Sequence, residues 1–286
     1  MASRAVVLGG GGTVGIAWEI GLLTGLHRAG VDIGAADLIV GTSAGSVVGT
    51  QIALGLPLDF QLAAQLAPLD AVKAAPISFD THSLMAIGVL WGSTAEMTPA
   101  LAAEIGALAL KSKTDTEDVY LQRFESVLDG LAWPQRPLRI TAVDVQSGEI
   151  VVWDRNSGAP LARAVASSCA VPGLFPPVTI NGRRYMDGGI RSGTSADLAH
   201  GHDVIIIIAP IGATAEAFDQ MARRQFEHEM VLLRAEGSVV ELVLPDQESL
   251  AAFGPNLMDT TRRALAAQAG LCQGALAAEA IRKIGW

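Results

Sequence analysis

Short runs of β-branched residues alternate along the chain with longer Ala/Leu-rich stretches of helical period, and this alternation restricts the fold more than any other feature. The run Val204-Ile205-Ile206-Ile207-Ile208 has no polar alternation, as expected of a strand buried on both faces of a largely parallel sheet. The reading is an α/β fold of three layers, with a central mostly parallel sheet between helices. Strands are predicted near Ala5–Leu8, Leu38–Val40, Leu138–Val143, Ile150–Trp153, Val204–Ile208 and Val239–Leu244. Helices are predicted over Val14–Ala29, Ala44–Leu54, Pro160–Ser167, Glu216–Glu236 and Thr260–Ile284. Asn181-Gly182, between Val178-Thr179-Ile180 and Arg183-Arg184-Tyr185-Met186, has the residues of a type I′ hairpin and sets Asp187 at the end of its second strand.

From Pro57 to Trp133 strand signals fade and several short helices are expected, joined by Pro, Gly and Ser. There is no internal repeat and no polar linker, so residues 1–286 read as one domain with 57–133 as a helical cap or insertion. Its apolar stretches Ser83–Trp91 and Ala100–Leu110 admit two readings. They line an acyl-chain channel over the reacting group, or they pack on the sheet as ordinary core.

With 17% charged and 50% hydrophobic residues, disorder is excluded. A formal charge of −9 has the wrong sign for a nucleic-acid partner, which is recognised largely by neutralising its phosphates. The basic residues fall in scattered pairs, which argues against an anionic membrane and leaves transient contact with a neutral lipid interface open. Cys169 and Cys272 have no spacing for a disulfide framework or zinc, and His228-Glu229 begins an H-E-x-x-H pattern that Leu232 breaks. No metal and no cofactor is expected. With neither a signal peptide nor a spanning segment in view, the expected compartment is the cytoplasm; the oligomeric state is not legible.

Three motifs carry chemistry. Gly9-Gly10-Gly11-Gly12 follows a strand and opens a helix, where free N–H groups favour negative charge. It serves as an oxyanion cradle, as a nucleotide site of G-x-G-x-x-G type at Gly10, Gly12 and Gly15, or as a structural turn. The acidic partner of a dinucleotide site is out of order, because Asp32 precedes the second strand. Next, Gly41-Thr42-Ser43-Ala44-Gly45 is a G-x-S-x-G pattern between strand and helix, the context that exposes a nucleophilic serine. Finally, Asp187-Gly188-Gly189 offers a carboxylate that other groups can approach closely, and such a group acts as general base once its pKa rises toward neutrality. A serine hydrolase with a histidine base instead needs His200 or His202, the two in a suitable late position.

Taken in order, Gly-Gly-Gly-x-x-Gly, Gly-x-Ser-x-Gly and Asp-Gly-Gly resemble the patatin-like phospholipase family, over roughly residues 5–200. Ala166-Ser167-Ser168-Cys169-Ala170-Val171-Pro172-Gly173-Leu174-Phe175-Pro176-Pro177 is similar to that family's segment between nucleophile and base. The resemblance implies a patatin-like fold and a Ser-Asp dyad, with Ser43 as nucleophile, Asp187 as base and the amides around Gly10, Gly11 and Gly12 as oxyanion hole. It also implies metal-free hydrolysis of acyl esters, whether phospholipid, lysophospholipid or simpler. Two departures stand out: Val14 occupies the usual place of Arg or Lys, and Ile190-Arg191-Ser192-Gly193-Thr194 replaces the frequent Asn-x-Pro pattern. Phospholipid preference is the property these departures touch, with Arg191 a candidate for the displaced charge. Acyl transfer to an alcohol other than water would use the same groups. A nucleotide-binding module and an inactive partner-binding scaffold are the other classes considered.

Overall fold

The computed structural model describes residues 2–68, 80–92, 96–212 and 216–286, with 216–222 as backbone only. Eight strands form one sheet: β1 (Arg4–Leu8), β2 (Leu38–Thr42), β3 (Leu138–Asp144), β4 (Ile150–Trp153), β5 (Val178–Ile180), β6 (Arg183–Asp187), β7 (Val204–Ile208) and β8 (Val239–Val243). Their order is β5-β6-β3-β2-β1-β7-β8, with β4 paired to β3. The run from β3 to β8 is parallel, whereas β4, β5 and β6 join antiparallel, so the sheet is mixed and mostly parallel. Asn181 and Gly182 both take positive φ, 50° and 78°, as the Asn-Gly hairpin requires.

Ten helices are described: α1 (Gly12–Arg28), α2 (Ala44–Ala53), α3 (Leu58–Leu66), α4 (Thr81–Gly92), α5 (Pro99–Ala109), α6 (Glu117–Leu128), α7 (Leu161–Ser168), α8 (Glu216–Ala235), α9 (Gln247–Phe253) and α10 (Arg263–Lys283). The pleat sends Val6 and Leu8 into a core shared with α1, α2, α7 and α10. It sends Ala5 and Val7 into a second core under Phe226, Met230 and Leu233 of α8. Helices therefore cover both faces, as the strand composition demands.

Every strand and long helix expected from the sequence is present, and α9 is added after β8, capped by Asp246, whose carboxylate accepts from the Ser249 amide at 2.8 Å. The insertion contains α3 to α6; residues 69–79 and 93–95 of it lie outside the described residues. Ile87 of α4 and Ala102 and Ile105 of α5 pack with Val143, Val145, Met186 and Ile190 in a third apolar cluster. Outward from it, Met85 and Val89 are about 70% exposed, and Ala107 is exposed as well. One face of these helices is thus core.

α1 and α10 meet backbone to backbone. A methyl group at Gly21 or Gly25 would fall 2.1 or 2.3 Å from the carbonyls of Ala267 and Leu271, and one at Gly270 or Gly274 would meet those of Trp18 and Leu22 as closely. Nearby, the Trp18 indole donates to Ser249 Oγ (3.0 Å) and Gln273 Oε1 (3.2 Å), tying α1 to α9 and α10. Glu19 on the same helix is fully buried with neither carboxylate oxygen hydrogen-bonded, and burial pushes its pKa well above the usual range. Among the described residues no helix is long and apolar enough to cross a membrane.

Candidate active site

Parallel strands deliver their following loops to one edge of the sheet, and ligands of such sheets sit where neighbouring connections diverge. Here β1 leads to β2 on one side and β7 leads to β8 on the other, so the divergence falls beside the glycine loop that follows β1. Ser43 follows β2 at the same edge with φ 52° and ψ −117°, a backbone state that a non-glycine residue rarely holds and that is typical of strained functional turns. The turn is fixed on both sides. The Ser43 amide donates to Ser168 Oγ at 2.9 Å, while the Ser43 carbonyl accepts from Ser46 Oγ at 2.7 Å and from the Cys169 thiol at 3.3 Å. The Gly45 amide donates to the Gly9 carbonyl at 2.9 Å, which binds the serine turn to the glycine loop.

Asp187 ends β6 at the same edge and is 4% exposed. Its amide donates to the Ala170 carbonyl at 3.0 Å, and its Oδ1 accepts from the Gly189 amide at 2.7 Å. Oδ2 is buried and has no hydrogen bond of ordinary geometry. Burial pushes the carboxyl up to about 7, against the pull of the neighbouring Ser43 hydroxyl and the Gly189 amide. The hydroxyl is thus close enough to act on the carboxyl without being locked onto Oδ2. Next to both, the half-buried Cys169 has its thiol pushed far up by burial and by the Asp187 charge, which makes it a poor nucleophile at neutral pH.

The glycine loop lies against Ser43: a methyl group on Gly10 would sit 3.4 Å from Ser43 Cβ. Its N–H groups are not equivalent. Gly9 donates to the Ile208 carbonyl (2.9 Å) and Gly10 to the Gly193 carbonyl (2.8 Å), whereas Gly11 and Gly12, the cap and first residue of α1, have no protein acceptor among the described residues. Gly12 has φ +61°, and a side chain there would strike the Leu257 carbonyl and the Met258 sulfur. Val14 is fully buried and donates its amide to the Leu257 carbonyl at 3.0 Å. Gly15 stands beside Pro210.

The remaining candidates sit elsewhere. His200 is exposed, and His202 approaches the Ala199 carbonyl through Nδ1 at 2.9 Å; both precede β7, which pairs Val204 with Arg4 at the start of β1. Ser43 lies beyond the far ends of these strands, and five residues of strand separate the two edges by about 16 Å. Neither histidine can serve as its base. Asp32 is likewise before β2, away from the glycine loop. Arg191 does not replace a charge at Val14's position: its guanidinium makes two 2.7 Å bonds to the Asp197 carboxylate. Among the described residues no group of three or more His, Cys, Asp and Glu is arranged to hold a metal ion.

Sequence reasoning assigned no role to Ser168, whose hydroxyl secures the serine turn, or to Glu229. The Glu229 carboxylate holds the loop after Asp187 through Ser192 Oγ (2.6 Å), Thr194 Oγ1 (2.7 Å) and the Ala196 amide (2.9 Å). A run of hydroxyl residues after Asp-Gly-Gly was the only trace of this in the sequence.

An NTE family protein of Mycobacterium tuberculosis, itself uncharacterized, is 28% identical over 204 residues, covering 68% of this chain and 47% of its own length. A counterpart in Mycobacterium bovis matches equally. The chain thus spans about half the length of the curated relatives it matches. Among solved structures, VipD from Legionella pneumophila is 13% identical with TM-score 0.49, covering 98% of this chain and 67% of that one. ExoU in its complex with SpcU, from the type III secretion system of Pseudomonas aeruginosa, is 15% identical with TM-score 0.40, covering 99% and 52%. The family model of patatin-like phospholipases matches residues 6–200, which contain the glycine loop, Ser43 and Asp187 alike, and the chain belongs to that family.

Proposed function

We propose that the protein hydrolyses carboxylic acyl esters of lipids, with Ser43 as nucleophile and Asp187 as its general base. The observation that carries this reading is a strained serine turn beside a buried carboxyl with one unpartnered oxygen and a pKa near neutrality. The Ser43 hydroxyl gives its proton to Asp187 Oδ2 as Oγ attacks the ester carbonyl. The carbonyl oxygen becomes an oxyanion in reach of the Gly11 and Gly12 amides at the head of α1. Collapse of the tetrahedral intermediate expels the alcohol, which takes the proton from Asp187, and water then repeats the sequence on the acyl-enzyme. The Gly10 amide, expected from the sequence to belong to the same cradle, is already engaged by Gly193 and serves to fix the loop. No step needs a metal or a cofactor.

The nucleotide alternative loses ground, since Val14 and Gly10 spend their amides inside the protein. The test is release of fatty acid from esters of increasing chain length, with phosphatidylcholine and lysophosphatidylcholine alongside and Ser43→Ala as blank. Turnover that vanishes in the folded variant supports the reading. Equal turnover by both proteins, or labelling of the wild type by a fluorophosphonate at a residue other than Ser43, overturns it.

A further inference from the structure

Glu229 of α8 is about 1% exposed, and its carboxylate is saturated. Oε1 accepts from Ser192 Oγ (2.6 Å) and Gln225 Nε2 (3.3 Å), and Oε2 from Thr194 Oγ1 (2.7 Å) and the Ala196 amide (2.9 Å). Ser192 Oγ in turn accepts from the amides of Ser195 (2.8 Å) and Thr194 (3.3 Å), so the loop is wound around this one carboxylate. Ser195 is held at φ 52° within it.

The two carbonyls presented between these anchors face the proposed catalytic groups. Gly193 O accepts from the Gly10 amide at 2.8 Å, and Thr194 O accepts from Thr42 Oγ1 at 3.3 Å, next to the nucleophile. An oxyanion donor acts only when it is aimed within a few tenths of an ångström, and its aim comes from the groups behind it. The chain of contacts runs from Glu229 through Ser192 and Thr194 to the Gly193 carbonyl, from there to Gly10, and from Gly10 to the adjoining Gly11 and Gly12 amides.

We propose that Glu229 is a positioning residue for the oxyanion cradle, acting through the Gly193 carbonyl. This rests on the reading of Gly11 and Gly12 as oxyanion donors. A glutamine at 229 can keep its oxygen on Thr194 and Ala196 but loses the bond from Ser192, whose Oγ already accepts two backbone amides; an alanine removes every contact of the side chain with this loop. The gain is selective for the transition state, because the substrate's trigonal carbonyl draws less on those amides than the oxyanion does.

The experiment measures kcat and KM for p-nitrophenyl butyrate per fluorophosphonate-titrated site, with inhibition by a trifluoromethyl ketone and by the matching methyl ketone. Glu229→Ala is expected to lower kcat about 100-fold with KM within about threefold. Trifluoromethyl ketone affinity falls in parallel and that of the methyl ketone holds, and Glu229→Gln, which keeps the Thr194 and Ala196 contacts, recovers part of the activity. If Glu229→Ala does not fold, Ser192→Ala and Thr194→Val replace it, each expected to lower kcat several-fold with the same inhibitor pattern. Wild-type kcat per titrated site in these variants, or equal loss of affinity for both ketones, overturns the proposal while leaving the enzyme reading intact. An inert wild type overturns both.

Discussion

Two buried carboxylates, Asp187 at the end of β6 and Glu229 on α8, are treated oppositely. Glu229 has its oxygens filled by two hydroxyls, a backbone amide and a glutamine amide. Asp187 has one oxygen on the Gly189 amide and the other on nothing. A carboxylate with donors on both oxygens is fixed in place and becomes part of the scaffold, whereas burial raises the affinity of Asp187 for a proton against the pull of the Gly189 amide and the Ser43 hydroxyl. The contrast separates a group that holds position from the one proposed to react.

The sharpest test removes the charge from the open carboxylate. Asp187→Asn is expected to reduce ester hydrolysis by at least about 1,000-fold, because it abolishes the base while keeping the side-chain volume. The same variant should be more stable than wild type in mildly alkaline solution. The folded carboxyl is raised from 3.8 to about 7, so the native state retains a proton that the unfolded chain has lost. That stabilising proton is fully present below about pH 4 and is lost as pH rises through about 7, a penalty of a few kcal/mol at most. Thermal unfolding should therefore show the variant gaining on wild type between about pH 4 and pH 8. A variant no more stable than wild type at the alkaline end would mean that water reaches the carboxyl.

Gly11→Ala leaves both carboxylates untouched and moves only the oxyanion donors. A methyl group there would lie 2.5 Å from Pro210 Cγ and 2.9 Å from the Gly15 backbone, so the loop must shift, and kcat should fall about 100-fold with KM little changed. A loss confined to KM would place substrate binding rather than the oxyanion at this loop.

A smaller effect is the acid limb of activity. If the open carboxylate is the base, kcat/KM falls about tenfold per pH unit below about pH 7, and a kcat/KM that stays level from about pH 7 to about pH 5 rules it out as the base. The smallest change is expected from His200→Ala and His202→Ala, each within about twofold of wild type, since both sit at the other edge of the sheet. A large loss from either would break the comparison by giving the base to an imidazole.

The architecture was legible because each layer is encoded locally: β-branched runs mark strands buried on both faces, and the Asn-Gly pair marks the hairpin that presents Asp187. The G-x-S-x-G and Asp-Gly-Gly patterns were legible for the same reason, since each depends on its immediate backbone. The division of labour among the glycine amides was not, because it is decided by Gly193, more than 180 positions later. Nor was Glu229, which stands in an ordinary amphipathic helix and acquires its role only through Ser192 and Thr194. The helices of the insertion were ambiguous between core and channel because Ala/Leu-rich stretches serve both, and only packing assigned Ile87, Ala102 and Ile105 to a core.

The backbone contact between α1 and α10 bears on when the site comes into being. α1 has the glycine loop at its head, and the partner that fixes its axis is made some 250 residues later, beyond the segment that the family model matches. During synthesis the serine turn and the aspartate strand emerge long before that partner. Until α10 docks, the glycine faces of α1 stand open. The contact that fixes the axis of α1 is therefore among the last of this fold to form, whatever order its strands are paired in.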